Sequence, residues 1–323
     1  MGECLGKQRP QALSAKDLRT LPEGIGEGNM ESRKNDRLSI WMNVSSMLIF
    51  GTIGIFRRYL PLSSAFLACS RGIIGGLFLF AFMRLKKGRT REKLSARTAM
   101  QLAFTGALMG INWMLLFEAY NFTTVSVATL CYYMQPTIVM LLSPLLFRER
   151  LTGRKAVCAG IAIIGMVLVS GVTGGEEARP GMLRGIILGL GAAIFYASVV
   201  IMNKRIAGVE AYQKTTIQLL SAGAVMIPYL LLMGASGDRE FSARTLILLF
   251  VVCVVHTGIA YVLYFGSIDG LKAQSVAIFS YIDPVAALLF SALFLKEPLS
   301  LPGMIGAVLI IGSAVASEVS WRS

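Results

Sequence analysis

The chain has 323 residues, of which 55% are hydrophobic and 15% charged, with a formal net charge of +13; its mean hydropathy is +0.65. A soluble domain carries about 25% charged residues, so this composition excludes a wetted globule around a single core. The positive balance, which in a soluble chain points to nucleic acid, here reflects Lys and Arg clustered in short breaks between apolar runs, as in basic cytoplasmic loops, and implies no nucleic-acid partner.

Residues 1–37 are polar, mixed in charge and rich in Gly, Pro and Glu, so a disordered cytoplasmic tail is expected there. They contain no apolar stretch of the signal-peptide kind, and translation is read as starting at either Met1 or Met30. A spanning helix needs ~20 mostly apolar residues. That length predicts spans near 38–57, 62–83, 99–118, 123–147 and 156–174, then 184–203, 215–234, 245–266, 273–295 and 301–318. The expected fold is all-α and polytopic, with ten transmembrane helices and no strands, since open strands leave backbone groups unpaired in lipid. The division is tail 1–37, first repeat 38–174 and second repeat 184–318.

With the N-terminus placed in the cytoplasm, 23 Lys and Arg fall inside and 7 outside, with Arg71 within a span. The bias puts both termini in the cytoplasm of a bacterial inner membrane. Cys4, Cys69, Cys131, Cys158 and Cys253 form no C-x-x-C pair, and all but Cys4 lie in apolar runs. Buried free thiols are expected of them, with no disulfide framework and no metal site.

The most informative pattern is a duplication. LCYYMQPTIVMLLSPLLFRERLT at 130–152 aligns with IFSYIDPVAALLFSALFLKEPLS at 278–300. Tyr133 then matches Tyr281, Gln135 matches Asp283 and Pro136 matches Pro284. Ser143 matches Ser291, and Glu149 matches Glu297. Gly110 and Phe117 match Gly258 and Phe265 in the same register, and I-I-G at 163–165 meets I-I-G at 310–312 after a one-residue shift. Two repeats with an odd number of spans must have opposite topology. The charges agree: the loop at 148–155 carries four cations and its match at 296–300 carries one. Inverted repeats are a transporter signature, because exchanging the two repeat conformations produces alternating access.

On these two Pro-plus-Glu blocks, and on GINWMLLFEAYNFTTVSVATL at 110–130, the chain resembles EamA-type members of the drug/metabolite transporter superfamily over residues 40–318. The resemblance implies two inverted five-helix units and a central cavity lined mainly by spans 1, 3, 4, 6, 8 and 9. It further implies outward movement of amino acids or other small metabolites, the usual traffic of bacterial members.

Pro136 and Pro284 fall mid-span, where proline kinks a helix, and such a pair in matched positions points to a binding site; a packing kink is the other reading. Asp283 precedes Pro284 at a depth where a carboxylate costs about 2.5–3.5 kcal/mol on insertion scales. It either binds a substrate ammonium, carries a coupling proton, or pairs structurally with Arg71. Arg71 itself either meets a substrate carboxylate or anchors the fold. His256, the one histidine, is either a satisfied core residue or a group that titrates near neutrality. Asn112, Trp113, Tyr133, Gln135, Tyr261 and Tyr281 complete the candidate substrate-binding set; with Tyr132 they suit a zwitterionic or aromatic solute. Glu118 is expected at the outer interface. Gly72/Gly76, Gly106/Gly110 and Gly185/Gly189 are G-x-x-x-G pairs, read as helix packing rather than dimerisation.

No H-E-x-x-H, G-x-S-x-G or Walker A sequence is present, so neither an enzyme nor a self-contained ATP pump is expected, and no cofactor is implied. The function expected is secondary transport, as exporter or exchanger of small polar metabolites such as amino acids. A passive facilitator on the same fold and a membrane-embedded lipid-modifying enzyme are the alternatives. The partners expected are a small-molecule substrate, the lipid bilayer and a coupling proton. A homodimer is compatible with the sequence but not required by it.

Overall fold

A computed structural model of the chain describes residues 24–85, 94–147, 152–169, 181–206, 208–232, 241–268, 271, 276, 279–298 and 300–318. Every regular element among them is helical. The first half contains α1 (Gly24–Arg58), α2 (Ser64–Leu85), α3 (Ala96–Phe122), α4 (Val125–Tyr132), α5 (Gln135–Phe147) and α6 (Gly153–Val169). The second contains α7 (Met182–Arg205), α8 (Ala211–Leu232), α9 (Ala243–Ile268), α10 (Ile282–Phe294) and α11 (Leu301–Glu318).

Hydroxyl side chains start several helices. Ser95 accepts from the Thr98 N–H at 3.1 Å, Thr124 from Val127 at 3.1 Å, Ser242 from Thr245 at 3.2 Å and Ser300 from Gly303 at 3.2 Å. Each satisfies an amide that the first turn leaves without an intrahelical partner.

Among the described residues, six stretches are long and apolar enough to cross a membrane: Arg37–Arg58, Ser64–Leu85, Ala96–Phe122, Met182–Asn203, Ala211–Leu232 and Ala243–Ile268. The rest of the expected set is shorter. Ala156–Leu168, Ile282–Phe294 and Leu301–Ser313 are apolar but brief. The fourth expected span is not one rod, because Tyr133 and Met134 separate α4 from α5. At the N-terminal end α1 runs back through residues 24–37, where a disordered tail was expected. From Met30 that segment carries Glu31, Arg33, Lys34 and Arg37, which favour helix, and propagating an existing helix is far easier than nucleating one. Residues 1–23, Cys4 among them, lie outside the described residues, as does Glu149.

The principal helix contacts between the halves recur when the halves are exchanged, with α4 and α5 together matched to α10. The packing of α1 on α10 is mirrored by α7 on α4 and α5, α3 on α7 by α9 on α1, and α3 on α8 by α9 on α2. The self-matched pairs are α4 with α10, α2 with α8, and α6 with α11. At the last of these, Gly165 of the first I-I-G abuts the Gly306 carbonyl at 2.7 Å and Ile310 of the second at 2.9 Å, measured from where a Cβ would stand.

The glycine pairs face neighbouring helices of the same chain. Gly72 and Gly76 meet α8 at Gly223, Leu219 and Leu220. Gly106 and Gly110 meet the same helix at Gln218, Ser221 and Ala222, and Gly185 and Gly189 lie against Thr123, Ala128 and Cys131. Helix α8 is thus gripped from two sides. Lipid supplies no hydrophobic drive for helices to associate, so close backbone approach at small residues is what holds them. Cys131, Cys158 and Cys253 are buried free thiols, and Cys69 is half-buried.

Candidate functional site

Tyr133 and Pro136 flank the start of α5, and Tyr281 and Pro284 flank the start of α10 in the same register. Each proline sits in the first turn of its helix, where an amide has no intrahelical acceptor in any case. The prolines therefore stand at matched breaks and carry no cost of a lost ladder bond. Between the breaks lies a cavity of about 270 Å³. Its wall is built by α1 (Phe50, Ile53), α3 (Trp113, Tyr120), α4 and α5 (Thr129, Gln135), α7 (Tyr196, Val200), α9 (Tyr261, Tyr264) and α10 (Asp283, Ala287), with Arg71 reaching in from α2.

Arg71 is buried in α2. Its Nε donates to Thr257 Oγ1 at 2.8 Å, and its guanidinium lies 4.2 Å from the Trp113 ring centroid and 5.7 Å from that of Phe117. A cation over an indole face is attracted by the ring quadrupole, all the more strongly when desolvated. Thr257 is carried on a π-helical stretch of α9, Val251–Ile259, and its hydroxyl also donates to the Val252 carbonyl at 3.2 Å. Wide turns of this kind frequently mark functional positions.

Asp283 occupies the first turn of α10, where the positive end of the helix dipole favours a carboxylate. Its Oδ2 accepts from the Tyr133 hydroxyl at 2.5 Å. Asp283 and Arg71 face the same cavity but make no ion pair within 4.0 Å, in contrast to Arg58 and Glu297. The structural pairing open to them on sequence grounds is therefore absent in this conformation, and each has a separate neutral partner.

Of the remaining candidates, Trp113, Tyr133, Gln135, Tyr261, Tyr281 and Pro136 line the cavity. Asn112, His256 and Pro284 do not. Asn112 points away from it and donates to the Ala192 carbonyl at 2.6 Å, joining α3 to α7. His256 is a core residue. Its Nε2 pairs with Thr52 Oγ1 at 2.8 Å, its Nδ1 lies 3.3 Å from the Val251 carbonyl, and its ring meets the edge of Phe56. A core place is one of the two readings open to His256, whereas Asn112 is suggested by depth, and depth does not say which way a helical side chain points.

Tyr120, Tyr196 and Tyr264 belong to the wall although the sequence did not single them out. With Tyr132, Tyr133, Tyr261 and Tyr281 they make seven of the ten tyrosines in the chain. Such a concentration marks the cavity as the aromatic centre of the molecule. Tyr132 lies 5.4 Å from Tyr196 between ring centroids, and Phe50 lies 5.3 Å from Tyr261. Tyr264 follows Tyr261 by three positions, a same-face spacing that was legible. Tyr196 carries no local signal, since only the packing of α7 against α4 brings it in.

Beyond one end of the cavity a polar belt joins several helices. Arg57 donates to the Leu60 carbonyl, Ser64 Oγ and Asn121 Oδ1, each at 3.1 Å. Ser64 and Asn121 in turn donate to Glu118 at 2.8 and 3.1 Å. Glu118 is thus an internal acceptor at the end of α3, tied to α2, besides standing near the expected interface.

Residues 37–171 and 183–317 each match the EamA-like transporter family. The chain is 31% identical over 289 residues to the uncharacterized transporter YxxF of Bacillus subtilis strain 168, covering 89% of this chain and 92% of that one. It is 25% identical to the RarD protein of Salmonella typhi, over 82% and 88% of the two chains. A solved crystal structure shares the fold at a TM-score of 0.61 and 18% identity, spanning 86% of this chain and 96% of that one. The names of the family and of the YxxF relative are those of transporters rather than of enzymes.

Proposed function

The chain belongs to the EamA-like transporter family and is a multi-pass membrane protein; from that premise we propose that it is a secondary transporter that exports or exchanges small polar metabolites such as amino acids. It works by alternating access between two inverted five-helix repeats. In this reading the shorter helices also cross the bilayer, giving ten spans, with both termini in the cytoplasm of a bacterial inner membrane.

The observation that carries the proposal is the cavity between the repeats, walled by tyrosines and holding one guanidinium and one carboxylate that do not neutralise each other. A zwitterion placed there meets Arg71 with its carboxylate and Asp283 with its ammonium. The aromatic wall supplies flat apolar contact and hydroxyl groups for the rest of the solute. Discontinuous helices at the midplane, with half-helix ends turned to the cavity, are the usual build of secondary-transporter sites.

The test is metabolite profiling of the medium from a deletion strain and an overexpressing strain. Accumulation outside overexpressing cells of a small solute that falls in the deletion supports export, and identical profiles count against it. Saturable counterflow of that solute in proteoliposomes then separates a carrier from a passive facilitator.

A further inference from the structure

Glu297 is one of the two repeat-matched glutamates, and the substrate-binding reading gives it no role. It follows α10 and is 8% exposed. One carboxylate oxygen, Oε1, accepts from Arg58 Nη2 at 3.1 Å and from the Val125 amide at 2.9 Å. The other, Oε2, accepts from the Ser126 amide and hydroxyl, both at 3.3 Å. Arg58 also donates to the Tyr120 carbonyl at 2.7 Å and to the Thr123 carbonyl at 3.2 Å. Beside this cluster Ser126 Oγ and Ser291 Oγ lie 2.5 Å apart.

The cluster stands one turn past the cavity wall on each helix that enters it. Arg58 follows the lining residue Gly54 on α1, Ser126 precedes Thr129 on α4, Ser291 follows Ala287 on α10, and Tyr120 is itself a lining residue. These groups therefore converge over a single end of the cavity, the end that the charge distribution assigns to the outside. The neighbouring Arg57–Glu118 belt differs in one respect: its members all come from α1, α2, α3 and the segment between α1 and α2, within the first repeat. Glu297 and Ser291 come from the second repeat and bind the first. Bonds inside one repeat travel with it, whereas bonds between repeats must break if the repeats move apart.

We propose that Glu297 with Arg58, seconded by the Ser126–Ser291 contact, is the latch that holds the cavity shut at this end, and that its release opens the cavity to that side. The proposal rests on the transport reading above. Charge-assisted hydrogen bonds to two amides and a guanidinium make the closed state specific in geometry. The Arg58 side chain is 35% exposed against 7% for Glu297, so water reaches the cation first and can replace its contact as the repeats part.

The test uses the full chain with its five native cysteines replaced and Ile53→Cys added in the cavity wall. The probe is a membrane-impermeant sulfonated maleimide, applied separately from each side to intact cells and to inside-out vesicles. Glu297→Gln, at equal membrane abundance, is expected to raise labelling from the latch side several-fold. Ser126→Cys with Ser291→Cys, oxidised to a disulfide, is expected to lower that labelling below the parent level, with recovery on reduction; this arm alone decides if Glu297→Gln does not reach the membrane. Latch-side labelling that neither variant changes overturns the proposal. Labelling that follows the latch in a chain that alters no exported metabolite supports the latch and removes the transport reading. Unmoved labelling in a chain that does export removes the latch alone.

Discussion

Arg71 and Asp283 divide the polar work of the cavity, and their separation sets what mutation should do. Because they form no ion pair, removing both should not restore what removing either takes away. Asp283→Asn keeps an acceptor for the Tyr133 hydroxyl and is expected to reach the membrane at near wild-type abundance while losing most transport. If Asp283 holds the coupling proton, the remaining transport also loses its dependence on pH. Arg71→Gln abandons the stacking on Trp113 and the bond to Thr257 and should be the more damaging to the fold, since a desolvated cation–π contact is worth about 2 kcal/mol. Transport against internal and external pH for both singles and the double variant, normalised to abundance, checks this. A double variant that recovers transport would mean that the two charges meet in another conformation and act as a structural pair. Wild-type transport by an abundant Asp283→Asn protein would exclude a substrate or proton role for that carboxylate.

At the level of helices, stability rests on close backbone approach, with α8 seated between α2 and α3. A Cβ at Gly106 would lie 2.7 Å from Ser221 Cβ, and the space around Gly160 is open to 4 Å. Gly106→Leu should therefore overpack the α3–α8 contact and cost about 1–3 kcal/mol. Gly160→Leu should be close to neutral. Thermal unfolding midpoints of the two purified variants in one detergent check the contrast; equal midpoints would show that the α3–α8 seam is not under tight packing. The broken helices belong to the same scale. An intact fourth span would carry its side chains around a single cylinder; with the break at Tyr133 and Met134, Tyr133 bonds Asp283 and Gln135 joins the cavity wall.

For the whole molecule, the exchange symmetry of the helix contacts and the basic loops make one joint statement about orientation. The loops at 85–97 and 204–214 are expected in the cytoplasm, with 175–182 and 235–244 outside. A cysteine introduced as Gly88→Cys should resist an impermeant maleimide on intact cells and react in inside-out vesicles; reaction on intact cells would invert the orientation and move the latch to the inner side. The N-terminal segment is separable from this core. Of the described residues, deleting 1–29 removes the first turn and a half of α1, which begins at Gly24. It should leave transport and abundance unchanged, as measured by export per membrane-inserted protein.

Sequence determined much of this by composition and repetition alone. Apolar run length located the helices, because hydrocarbon admits few ways to satisfy a backbone. The matched Pro and Glu blocks announced the duplication, which the exchangeable helix contacts bear out. Trp113, Tyr133, Gln135, Tyr281 and Asp283, which line the cavity, were legible as candidates because they cluster beside the repeated prolines or in the neighbouring polar run. Run length could not show that the fourth span is broken, since hydropathy averages over a two-residue interruption. Depth in the sequence could not tell His256 and Asn112, which turn into the core, from Tyr261, which turns into the cavity; a helix places side chains all round, and only its neighbours decide which face is inside. Tertiary structure alone brought Tyr196 to Tyr132 and Glu297 to Arg58. Those contacts join residues far apart in the chain, and no local pattern encodes a distance that is closed only when two repeats meet.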